Sequence, residues 1–173
     1  MKYFLLPFFF IFLFFINSVN SEQNIAFINM DKVISTSNAG SSILKQLTDL
    51  NDKNLQFLKN EEKKFKKKET KLISQKNIIS EADFQNKVNE LKSEIKNYNQ
   101  NRDKMINEFN KLKVDNTNNL LKLINPILLK FSDDKEISIV LQKKDLVVAK
   151  TELDITEDII KIVNAEIKEL KIK

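Results

Sequence analysis

The chain has 173 residues, 29 Lys plus Arg against 24 Asp plus Glu, one Gly, two Pro, and no Cys, His or Trp. Without Cys or His there is no thiolate or imidazole metal site, no Cys–His or Ser–His nucleophile pair and no disulfide. One glycine cannot build a phosphate-cradling or dinucleotide-binding loop, and scarce Gly and Pro favour long uninterrupted helices.

Lys2 precedes an apolar run from Tyr3 to Ile16, broken only by Pro7, and the polar stretch Asn17 to Ser21 follows. A helix of that length covers about 21 Å, short of the roughly 30 Å hydrocarbon core of a bilayer. Residues 1–21 therefore read as a cleavable secretory signal peptide, with Val19 and Ser21 at the −3 and −1 positions; an uncleaved membrane anchor is the alternative. No Cys stands at the cleavage point, which argues against a bacterial lipoprotein. Removing the segment takes away seven of 13 Phe and leaves 152 residues with a net charge of +4. The expected product is an exported, aromatic-poor protein on which an oxidising compartment makes no redox demand.

Ile25 to Met30 alternates with period two, Ile25 and Phe27 against Ala26, Ile28 and Met30, and predicts a strand. Asp31 is placed to cap a short helix through Val33 and Ile34, with a turn over Ser35–Gly40. Gly40, the single glycine, serves a backbone angle or a close helix approach. From Ser41 to Ile79 nothing interrupts a helix. Leu44, Asn51, Leu58, Phe65 and Leu72 lie seven apart, but the companion positions Asn54, Glu61, Lys68 and Gln75 are polar, so the seam is thin. Ser80 caps a second helix, with Asp83 in its first turn. There Phe84, Val88, Leu91, Ile95, Tyr98, Arg102, Met105, Phe109 and Leu112 recur at spacings of four and three, a much cleaner amphipathic seam. Arg102 interrupts it and should snorkel to solvent or pair with a facing Glu. Asn116 and Asn119 dilute the seam before Leu120, and Pro126 should kink or break the helix near Asn125.

Beyond it the period changes. Ile137, Ile139 and Leu141 alternate with Ser138, Val140 and Gln142, and Lys143–Asp145 turns into Leu146–Lys150, a predicted β-hairpin. Asp154 to Glu157 is a capping-box-like start to a final helix whose stripe is Ile155, Ile159, Ile162, Val163, Ile167 and Leu170. The fold class is α+β: a small β-sheet body, residues 22–40 and 126–173, from which an antiparallel α-helical hairpin arm, residues 41–125, projects.

The charge excess is local. Lys59, Lys63, Lys64, Lys66, Lys67, Lys68, Lys71 and Lys76 face only Glu61, Glu62 and Glu69, and this net +5 equals the whole excess of residues 51–119. Such a run is either a solvated face with Glu–Lys pairs or an electrostatic funnel for acidic chains or anionic lipid headgroups. Phe65, inside the run, also lies on the seam. The carboxylates form no catalytic pair and no calcium-loop spacing, so neither an enzyme nor a cofactor is expected. A nucleic-acid binder is disfavoured by export and by the lack of a groove-reading motif.

The order strand, short capped helix, helical hairpin, strand segments and terminal helix resembles the Skp/OmpH family of periplasmic chaperones. The resemblance rests on IAFINMDKVISTSNAG at 25–40, on Pro126, and on residues 137–164, where Asp154, Ile155, Thr156 and Ile159 match the start of the family's last helix. It implies a periplasmic homotrimer with a β-barrel body and three arms that hold unfolded outer-membrane β-barrel proteins without ATP. On that footing Lys59 to Lys76 with Phe65 are the candidate client-binding residues. Ile25, Phe27, Ile137, Ile139, Leu141, Leu146 and Val148 are the candidate oligomer interface. The arm is less basic than the family leads one to expect, and no lipopolysaccharide motif is matched. A structural coiled-coil protein that tethers or spaces envelope layers is the alternative reading.

Overall fold

The computed structural model describes residues 24–173; the expected signal peptide lies outside the described residues. The order is β1 (Asn24–Ile28), α1 (Met30–Thr36), α2 (Asn38–Gln75), α3 (Glu81–Asp134), β2 (Ile137–Gln142) and α4 (Thr156–Glu166). Short 3-10 turns occupy Lys143–Asp145 and Thr151–Leu153.

The sheet has two strands, and β1 runs parallel to β2 with Ile25 opposite Ile139 and Phe27 opposite Leu141. The expected β-hairpin does not form: Leu146–Lys150 belongs to no strand, and Val147 and Val148 are almost wholly exposed. The 3-10 turn carries the chain away from β2 instead of folding it back. The other side of β1 is met by a bridge to Asp154, where the Ile155 N–H donates to the Phe27 carbonyl at 3.0 Å. Pleating separates the faces. Ala26 and Ile28 point into the core, joining Val33 of α1, Ala39, Ile43 and Leu47 of α2, Leu120, Ile124 and Ile127 of α3, and Ile159 and Val163 of α4. The core thus takes in the first turns of α2 and the last third of α3.

The α1–α2 junction is tighter than a six-residue turn. Asn29, not Asp31, caps α1, its Oδ1 accepting the Lys32 N–H at 3.0 Å. A single extended residue, Ser37, ends α1 and caps α2, its Oγ accepting the Gly40 N–H at 3.2 Å. Gly40 is required by proximity, not by a left-handed angle: a Cβ there would lie 1.6 Å from the Ile34 carbonyl oxygen.

At the far end Ser80 caps α3 through the Asp83 N–H at 3.1 Å, as its position predicts. The helix then runs 54 residues through Pro126 without a break. Pro126 removes the N–H that the Lys122 carbonyl would accept, but both residues are exposed and water can serve that carbonyl, while Ile124 and Ile127 on either side are anchored in the core. The terminal helix ends at Glu166, short of Leu170. Its start also differs from a capping box. Asp154 Oδ1 accepts the Thr156 N–H at 3.0 Å, while Glu157 reaches across to the Lys32 ammonium at 2.5 Å.

Candidate functional site

Along the arm, partners descend on α2 as they ascend on α3: Gln75 meets Lys87 at 3.4 Å, Lys68 meets Glu94 at 2.5 Å, and Phe65 meets Tyr98 with ring centroids 5.3 Å apart, edge to face at 64°. The Tyr98 hydroxyl donates to Glu62 Oε1 at 3.0 Å and approaches the Leu58 carbonyl at 3.4 Å. Burial first, then the Glu62 carboxylate, raises the Tyr98 pKa above the ordinary phenol value.

The two seams do not match, and this creates the site. Helix α3 offers two apolar residues per heptad, α2 only one, because Glu61, Lys68 and Gln75 replace its companions. One apolar ridge cannot cover two. What remains is a cleft of about 610 Å³, walled on α2 by Phe65, Leu72 and Ile73 and on α3 by Phe84, Val88, Leu91, Ile95 and Tyr98. Its rim carries Glu62, Glu69, Lys66 and Lys92, so the charges there balance. Ile73 is 65 % exposed and Ile95 37 % among the described residues. The opposite face of the same tip is richer in charge: Lys68, Lys71 and Gln75 confront Lys87, Glu90 and Glu94, with Leu72 and Leu91 between them, around a smaller hollow of about 280 Å³.

The lysine run is therefore divided rather than gathered. Lys66 stands on the apolar cleft's rim, Lys68 and Lys71 on the polar face, and Lys76 at the end of α2. Lys64 pairs with Glu61 at 2.6 Å and Lys68 with Glu94, and among the described residues Lys59, Lys63, Lys66, Lys67, Lys71 and Lys76 carry no ion pair. Phe65 touches Tyr98 across the seam and also walls the cleft. Arg102 pairs with neither a facing Glu nor α2, but with Asp103 beside it at 2.9 Å. Ile73 is missed by heptad counting because it lies off the repeat; the polar companions of α2 opposite a full seam were the available signal.

In the body, Ile25, Ile139 and Leu141 lie exposed on the outer face of the sheet. Phe27 shares that face but is only 5 % exposed, with Lys143 Nζ 5.6 Å from its ring centroid. Lys143 also meets Asp154 at 2.9 Å. Partial burial by itself would raise the Asp154 carboxyl, but hydrogen bonds from Thr156 and Lys143 outweigh it and hold the group below the ordinary value of 3.8. Ile137 packs against the core where the strand register shifts. Leu146 is half-buried and Val148 exposed, both outside any strand. Among the described residues no cluster of acidic side chains could hold a metal ion, and no helix is long and apolar enough to cross a membrane.

Comparison with known proteins bears on this architecture. Residues 24–163 match the family model of OmpH, described as outer membrane protein (OmpH-like). No curated protein matches by sequence. Among solved structures, a Caulobacter crescentus protein described as an OmpH-like outer membrane chaperone superposes with a TM-score of 0.80 at 14% identity, covering 87% of this chain and 89% of its own. At that identity the likeness establishes a shared fold, while the family match spans β1 through most of α4 and so covers body and arm alike. The chain belongs to the OmpH-like family of outer membrane proteins.

Proposed function

We propose that this protein is an ATP-independent periplasmic holdase for unfolded outer-membrane β-barrel proteins. The observation that carries the reading is the open apolar cleft at the arm tip, about 610 Å³ between Phe65, Ile73, Val88 and Ile95. An apolar cleft left open on a slender two-helix arm supports reading it as a surface for exposed apolar segments of a client. Its balanced rim suits clients of varied charge, while the unpaired lysines raise the local concentration of acidic chains and can touch anionic lipid headgroups.

The arm acts as an antiparallel hairpin projecting from the body, and the body assembles three copies through the sheet's outer face. Ile25, Ile139 and Leu141 supply exposed apolar area there. Three arms around one client give avidity from contacts that are each weak and readily exchanged. Binding needs neither a nucleotide nor a catalytic group.

The test is aggregation of an unfolded outer-membrane barrel on dilution from urea, followed by light scattering with the native mass measured in parallel. Suppression at a stoichiometry of one oligomer per client is expected. Undiminished aggregation at excess oligomer refutes the reading. A protein that only tethers envelope layers would instead form stable filaments or fixed complexes and show no preference for unfolded chains.

A further inference from the structure

Beyond α4 the chain does not wander off. Residues 167–173 lie across the roots of both arm helices, held by backbone hydrogen bonds and by the packing of Ile167, Leu170 and Ile172 against the core. The Gln46 side-chain amide on α2 makes two bonds to one stretch: its Nε2 donates to the Leu170 carbonyl at 2.7 Å, and its Oε1 accepts the Ile172 N–H at 3.2 Å. This carbonyl and N–H flank Lys171 on one side of an extended chain, the pair that a neighbouring β-strand would engage. Ser42 Oγ also donates to the Leu170 carbonyl, at 3.3 Å. From α3, Asn116 Oδ1 accepts the Lys173 N–H at 3.3 Å, while its Nδ2 donates to the Leu112 carbonyl at 2.7 Å. Leu170 and Ile172 pack against the core and the alternating Lys171 and Lys173 stay exposed.

Asn116 is only 4 % exposed, in a helix face otherwise apolar. A buried amide is costly unless bonded, and the 167–173 segment supplies the partner of its oxygen. Gln46 is likewise preset, its amide nitrogen also bonded to the Ser42 carbonyl at 3.1 Å. The arrangement reads backbone and an apolar–polar alternation, and it uses no particular side-chain identity.

We infer that Gln46, Ser42 and Asn116 form a sequence-tolerant binding site for an extended segment alternating apolar and polar residues, with residues 170–173 as its resident, displaceable occupant. The inference stands apart from the cleft at the arm tip and from the holdase reading. Recognition of backbone from both sides accepts any segment with this period, and displacement of the resident leaves Gln46 and Asn116 free to take the incoming segment while the core of Ile43, Leu47, Leu120 and Ile124 still joins the roots of α2 and α3.

The test uses the full chain and a fluorescent peptide copying Ile167–Lys173, read by anisotropy. The resident segment competes at high effective concentration, so a second form carries Leu170→Asp and Ile172→Asp, which weaken the resident's packing but leave Gln46 and Asn116 intact. Circular dichroism confirms that it folds. This form should bind the peptide at least about tenfold more tightly than the unmodified chain. Adding Gln46→Ala, or using a peptide N-methylated at the position of Ile172, should each weaken binding by about tenfold, the scale of one or two lost hydrogen bonds. Failure of the weakened form to bind, or equal binding of the N-methylated peptide, overturns the inference. Loss of aggregation suppression with this peptide site intact would instead count against the holdase reading alone.

Discussion

Replacing Ile73 and Ile95 together by Gln asks whether the arm-tip cleft binds unfolded chains. Both residues sit in long helices where Gln is as good a helix former as Ile or better, and the change is neutral in charge, so the lysine field is untouched. Burying a whole Ile side chain is worth about 1.5–3 kcal/mol. Ile73 is 65 % exposed and Ile95 37 % exposed, so a client that covers both gains about 1.5 kcal/mol at the first and about 1 kcal/mol at the second. Losing both weakens binding by about fiftyfold per cleft. The assay is titration of an immobilised or labelled unfolded barrel with wild-type protein, the double variant and Ile106→Gln, whose isoleucine is also exposed on α3 but lies outside the cleft. Urea midpoints of all three should coincide within a few tenths of a kcal/mol. Unchanged affinity in the double variant, or an equal loss in Ile106→Gln, would remove the cleft from the mechanism.

Gly40→Ala should destabilise the chain by about 3 kcal/mol, since relieving a 1.6 Å clash with the Ile34 carbonyl oxygen displaces the start of α2 and its Ser37 cap, outweighing the roughly 1 kcal/mol of helix propensity gained; a stabilised variant in urea titration would refute the close approach. The Asp154 carboxyl, held below its ordinary value, contributes stability that is complete above pH 3.8 and lost as pH falls through the depressed value,. Urea midpoints of wild type should therefore fall more steeply below about pH 4 than those of Asp154→Asn, and parallel curves would contradict it. Ile139→Asp should raise the oligomer's dissociation constant at least about tenfold by placing a charge on an apolar contact, with the fold retained because the residue is 45 % exposed within one chain. Sedimentation velocity showing an undisturbed oligomer would exclude the outer sheet face. Phe27→Asp is the poorer probe, because Phe27 is already buried in the single chain and the substitution would damage the body itself.

Local signals in the sequence match the structure at several single residues, although Asn29 and not Asp31 caps α1. Ser80 and its neighbour Asp83 start α3, the four–three spacing from Phe84 to Leu112 forms a helix, and Gly40 marks a close approach. The expected β-hairpin does not form because alternation at 137–142 and the apolar run at 146–148 say that strands are favoured, not with which strand they pair. The N-terminal strand, distant in sequence, takes the place beside β2. Pro126 does not break the helix for a related reason: a missing N–H does so only where nothing else holds the chain, and the anchoring of Ile124 and Ile127 is a tertiary fact. At the candidate site, Phe65 and the lysines were visible as residue types. The cleft was not, because it arises from a difference between two helices that each look ordinary. Gln46 and Asn116 were equally opaque, since a polar residue on a helix face reads as dilution of the seam until its backbone partner is seen.

The pairing of β1 with β2 also bears on the order of events in folding. Asn24 faces Ile137 across about 110 residues of intervening chain, and closing an unstructured loop of that length costs about 4 kcal/mol in entropy. Helices zip from local contacts far faster than distant strands find one another. If α2 and α3 associate first from the Ser80 turn, each pair formed toward the root draws β1 and β2 closer, and the loop left to close shrinks to a few residues at either end. On that order the arm is the template on which the strands β1 and β2 are brought into register. A variant that unpairs the tip should slow refolding of the body while leaving its final stability nearly unchanged.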